Sequence, residues 1–148
     1  MLLFKTKDCF CEQITDESQH IGEIDLSHAN PATGPVYVEG AEAGDVLVVE
    51  IYDIQVADQG ISCTFNETGP LHDITEPRTR IIPIKNGFAE FKDVSWPIDP
   101  MIGVIGTAPA EGEIACGFAS DHGGNMDSTK VKKRSRVYLP VRVEAGLL

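Results

Sequence analysis

Apolar and polar residues follow one another along this chain with the period of β-strands, and no twelve-residue window carries an apolar stripe at helical spacing. Asp45–Ile54 opens as an apolar run and then alternates, as a strand buried on one face or both does. Pro35–Glu39 is rich in β-formers and ends at Gly40. The glycines of Glu39–Asp45 predict a turn that joins these two segments as paired strands. Further strands are predicted at Gly60–Asn66, Arg80–Lys85, Phe88–Lys92, Met101–Thr107 and Arg136–Glu144. Asn86-Gly87 is the dipeptide of a type I′ turn, whose central residues both need positive φ, so Ile81–Phe91 is predicted to be a hairpin. The single helical candidate is a short turn near Asp121–Lys130.

Many short strands separated by turns predict an all-β fold, a β-sandwich of short antiparallel strands with long loops. At 148 residues, with no repeat, linker or low-complexity tract, the chain reads as a single domain over residues 1–148. A chain of this length buries roughly two-thirds of its unfolded surface, so it needs neither disulfide nor metal staples.

Charge narrows the function. A net charge of −11 repels phosphate backbones and anionic lipid, which disfavours nucleic acid and membrane as partners. The one basic run, Lys130–Arg136, reads as a solvated loop before a strand, although it could contact an anion. No apolar stretch approaches the ~20 residues of a bilayer span, and Met1–Lys5 lacks a signal-peptide core. A cytoplasmic protein is expected, with Cys9, Cys11, Cys63 and Cys116 as unbridged small hydrophobes.

Candidate chemistry concentrates in Cys116–Asp127. Gly123 and Gly124 let the backbone turn sharply and let a ligand approach the main-chain N–H groups. Asp121 and His122 bring an acceptor and an imidazole to one loop, a pair that can orient water, bind a metal, or act as base and orienter. Asn125 adds an amide donor suited to an oxyanion, and Asp127 a second carboxylate. The same letters also make an ordinary loop, with Asx-turns and glycines at positive φ. A metal on His122 and Asp121, zinc or calcium, would need further ligands, and no HxH, HExxH or paired-cysteine spacing supplies them. Elsewhere the signals are weaker. Cys116 has no helix N-terminus or lysine beside it to activate it as a nucleophile, and Ser120 beside Asp121-His122 mimics a triad by composition alone. His20, His28 and His72 are isolated, and Trp96 before Pro97 reads as a sheet-end cap.

Four segments carry a resemblance. Asn30–Asp45, Pro100–Ala110, Ser120–Asp127 and Val137–Leu148 resemble, in order and spacing, the hallmark motifs of the acetamidase/formamidase family. The resemblance implies a β-sandwich-rich fold and hydrolysis of small carboxamides, formamide or acetamide, to ammonia and a carboxylate. Asp121, His122, Asn125 and Asp127 match the family's most distinctive polar motif. Asp8, with Gln13, resembles part of an acidic N-terminal motif and is a candidate for substrate binding beside Gly123 and Gly124. Members of the family are roughly twice this length, so the expected partner, besides a small amide, is a second copy or another chain that supplies the missing half. The rival reading is a non-catalytic β domain with a structural or oligomerising role.

Overall fold

The computed structural model describes residues 1–66 and 69–148. These divide into two compact units: residues 1–9, 29–54 and 99–148 form the first, and residues 10–28 and 55–98 the second. Strands, all paired antiparallel, make up both. Among the described residues the only helical pieces are single 3-10 turns at Ile21–Glu23 and Leu26–His28. The all-β class expected from the pattern is therefore the observed one. No helix is long and apolar enough to cross a membrane among the described residues.

The second unit is a meander whose neighbours in sequence are neighbours in space. Its strands run in order Gln59–Thr64 (β2), Arg78–Lys85 (β3), Phe88–Phe91 (β4) and Val94–Pro97 (β5). The predicted Asn-Gly hairpin is present: Lys85 pairs with Phe88, and Asn86 and Gly87 take φ of 53° and 79°. Trp96 stands in β5, the edge strand of this sheet, opposite Ala89. Thr79 is buried in β3, where its hydroxyl donates to the Gln19 carbonyl at 2.5 Å. That bond ties the irregular segment containing Ile14 and Ile21, both buried, to the sheet.

The first unit is built from distant segments. Val46–Glu50 (β1) pairs with Arg136–Pro140 (β9), and Gly123–Asn125 (β8) lies between Val104–Gly106 (β6) and Ala119–Ser120 (β7). The strand pair expected between Pro35–Glu39 and Asp45–Ile54 does not form. Val36 exchanges both backbone hydrogen bonds with Leu148, at 2.5 and 3.1 Å, and Val38 donates to Ala145. Gly44 and Asp45 continue the pairing, bonding to Val141. The glycines at 40 and 44 thus bend one continuous ribbon along the C-terminal segment and do not reverse it. Two-stranded pairing alone is marginal, and here the core residues Leu139, Val141, Ala145, Ile51 and Val131 support it. Leu139 of β9 lies against Gly123 of β8, where the two small sheets of this unit touch.

Candidate functional site

The helical turn expected near Asp121–Lys130 is a β-hairpin instead. Ser120 pairs with Gly123, which leaves Asp121 and His122 as a two-residue turn between β7 and β8. Glycine makes this possible, because Gly123 and Gly124 take φ of 98° and 89°. There is also no room for a side chain at either. A Cβ on Gly123 would enter the Ile105 carbonyl oxygen, and one on Gly124 the Phe118 carbonyl oxygen. A third glycine, Gly106 of β6, allows β6 and β8 to close on the His122 main chain.

His122 is the polar side chain that this packing encloses. It is 7% exposed, and its ring lies over glycines: Cβ atoms built at Gly106 and Gly124 would stand 3.3 Å from Cδ2 and 3.1 Å from Nε2. Nδ1 is buried without a hydrogen-bond partner. Leaving such an atom unsatisfied costs about 1–3 kcal/mol. The His122 carbonyl accepts from Thr107 N–H at 3.0 Å, and the Thr107 hydroxyl donates to the Pro140 carbonyl at 2.6 Å.

The remaining candidates scatter around this turn. Asp121 is exposed, and its carboxylate pairs with the Arg142 guanidinium and not with His122 Nδ1. Asn125 ends β8, and its amide donates to the Gly117 carbonyl at 3.5 Å, the limit of a useful bond. Asp127 is exposed at φ 43°, with its N–H on the Gly103 carbonyl. A Cβ at Gly103 would meet Asp127 Oδ1 at 2.6 Å and Asn125 Oδ1 at 3.8 Å, so both acceptors flank the same glycine. Asp8 is exposed in the N-terminal segment, which Asn30 N–H secures through the Cys9 carbonyl at 2.8 Å.

Among the described residues no three His, Cys, Asp or Glu side chains converge as metal ligands, and Asp121 is already engaged by Arg142. The cysteines are thiols, and Cys9 and Cys116 are exposed and do not behave as core hydrophobes. The basic run forms the expected loop before β9. Beside it a cleft of about 330 Å³ is lined by Ile54, Asp99, Pro100, Lys132, Lys133 and Arg134. Asp99 and Asp53 neutralise its two lysines, each at 2.5 Å.

Comparison with known proteins gives this geometry a context. The profile of the Acetamidase/Formamidase family matches residues 1–116. The chain belongs to the acetamidase/formamidase family. A crystal structure of acetamidase from Bacillus halodurans is 45% identical and superposes with a TM-score of 0.93 over 96% of this chain. A predicted acetamidase/formamidase from Thermoanaerobacter tengcongensis is also 45% identical, with a TM-score of 0.90 over 96% of the chain. A formamidase of Methylophilus methylotrophus is 25% identical over 88% of it. The chain spans about half the length of these relatives, 49%, 48% and 46% respectively. The family motifs read from the sequence bring Gly106 and Thr107 onto His122, and Asp121 into reach of Arg142. Thr107 and Arg142 carry no local signal of a role, because their partners, the His122 carbonyl and the Asp121 carboxylate, lie 15 and 21 residues away in sequence.

Proposed function

We propose that this chain contributes the histidine-bearing part of a site that hydrolyses small carboxamides such as formamide or acetamide. The observation that carries the reading is His122, an enclosed imidazole with one ring nitrogen that no group among the described residues satisfies. Amide hydrolysis needs a base to take a proton from the attacking water and an acid to give one to the departing nitrogen, and one imidazole can serve in both. Enclosure suits the task, because a site closed to bulk water strengthens each polar contact inside it. Asn125, with its loosely held amide, is the group offered to the oxyanion, while Gly123 and Gly124 lie buried under the Ile105 and Phe118 carbonyls and seat the turn that presents His122. The names of the relatives, formamidase and acetamidase, support the substrate class.

The test is ammonia release from formamide and acetamide by the purified chain and its His122→Ala and His122→Gln variants. Loss of about 10²-fold or more in kcat is expected from removal of a general acid–base. Retention of full ammonia release by a folded His122→Ala protein would overturn the reading.

A second reading, an oligomerising β domain of the cytoplasm, has one observation in its favour. The outward face of β1 and β9 exposes Val46, Val48 and Tyr138, with Tyr52 beside them. Apolar faces of this kind mark interaction surfaces. Light scattering decides it: an inactive dimer favours this reading, and an active monomer defeats it.

A further inference from the structure

Two ties from outside the Ser120–Asp127 motif converge on the turn that carries His122. One is the Thr107 bridge, from the His122 carbonyl to the Pro140 carbonyl. The other is the Arg142 guanidinium, which donates to the Asp121 carboxylate. Arg142 stands on anchored backbone. Its neighbour Val141 is 1% exposed, donates to the Asp45 carbonyl at 2.9 Å and accepts from Gly44 at 2.9 Å. Three residues further on, Ala145 donates to the Ala41 carbonyl at 2.7 Å.

Asp121 and His122 are the whole of a two-residue turn, so any rocking of one moves the other. Among the described residues nothing holds the ring through Nδ1, so the turn backbone and the glycine cradle fix its orientation. We propose that Arg142 is a positioning residue for His122: by holding Asp121 from the anchored C-terminal segment, it sets the angle at which the imidazole is presented. The proposal rests on the reading of His122 as the catalytic histidine. Arg142 acts through the turn and need not touch the substrate. The planar guanidinium suits a fixed geometry better than the mobile point charge of lysine, so Arg142→Lys should restore only part of the effect.

The experiment uses the full chain as wild type, Arg142→Gln, Arg142→Lys, Asp121→Asn and the double variant Arg142→Gln/Asp121→Asn. The first readout is the NMR spectrum of the His122 ring, assigned by its disappearance in His122→Ala. The second is kcat and KM for formamide. In Arg142→Gln the ring resonances should shift or broaden, and kcat should fall about fivefold with KM within twofold. Fivefold is about 1 kcal/mol, the upper end for a solvent-exposed ion pair. Asp121→Asn should reproduce the change, and the double variant should add nothing further. An unchanged ring spectrum and kcat in Arg142→Gln would overturn the proposal, as would additive effects in the double variant. Should Arg142→Gln melt early, Asp121→Asn removes the same pair from its exposed end and supplies both readouts. If His122→Ala stays active, the catalytic reading fails by itself, while the ring spectrum still decides the positioning. If His122→Ala is inactive and Arg142→Gln is unchanged, only the positioning fails.

Discussion

Gly87 of the second unit and Gly124 of the first serve different ends. In the second unit Gly87 serves a turn: its φ is 79° and the space where a Cβ would go is open. In the first, Gly124 has nearly the same dihedral, 89°, but a carbonyl oxygen fills that space. The pairing differs in the same sense. β2 to β5 connect along the sequence, whereas β1 closes on β9 across most of the chain and β6 pairs with β8 past the intervening β7. Local pairing needs only a turn of the right hand, and distant pairing is held by close approach of backbones. The unit with close approach is the one that encloses His122.

The contrast can be broken most forcefully at these glycines. Gly124→Ala should destabilise by roughly 3 kcal/mol or more, since dihedral strain adds to a steric clash on the main chain. Gly87→Ala should cost about 1 kcal/mol, the strain alone. Urea melts of both variants measure the difference. Equal losses would mean that β6, β7 and β8 open readily around Gly124.

A smaller effect is expected at two buried threonines. Thr107 and Thr79 each donate a hydroxyl to a backbone carbonyl, at 2.6 and 2.5 Å. Replacing either with valine leaves that carbonyl short of a partner and should cost about 1–2 kcal/mol. Only Thr107→Val should also slow ammonia release, because Thr107 borders the His122 turn. Thr79→Val should melt early and keep its rate under conditions where it is folded.

The smallest effect lies on the outward face of β1. Glu50 accepts from the Tyr52 hydroxyl at 2.8 Å and pairs with Arg136 at 2.5 Å. The Tyr52 hydrogen bond first, and then the charge of Arg136, hold its carboxyl below the usual value of 4.5. A depressed carboxylate stabilises fully above its unfolded pKa, and the contribution is lost as pH falls through the lower folded value. Wild type should therefore melt slightly above Glu50→Gln at pH 7, and the gap should close on acidification below about 4.5. A gap that is independent of pH would remove the electrostatic account of this face.

Legibility followed the same division. The Asn86-Gly87 hairpin was readable because its cause lies in two adjacent residues. In the first unit β6 and β9 were expected in place but ran shorter than their apolar pattern, over Val104–Gly106 and Arg136–Pro140. The partner of Val36 was misread, since Leu148 lies at the far end of the chain and leaves no local mark. The polar loop was readable as a candidate. Its form was not, because Asp121-His122 looks alike as a helical start, an open loop or a hairpin turn until β6 is placed beside β8.

By itself the sequence determined the all-β class, through strand-period alternation and turn residues, and it identified the family, through four motifs in order. It also singled out His122 and its neighbours as candidates for chemistry. Only the tertiary structure decided that His122 is enclosed with Nδ1 unsatisfied, that Asp121 faces Arg142, and that Thr107 closes the turn from behind. The reason is physical. Periodicity and turn chemistry act between residues a few positions apart, whereas burial and partnership are set by which distant backbones glycine allows to touch.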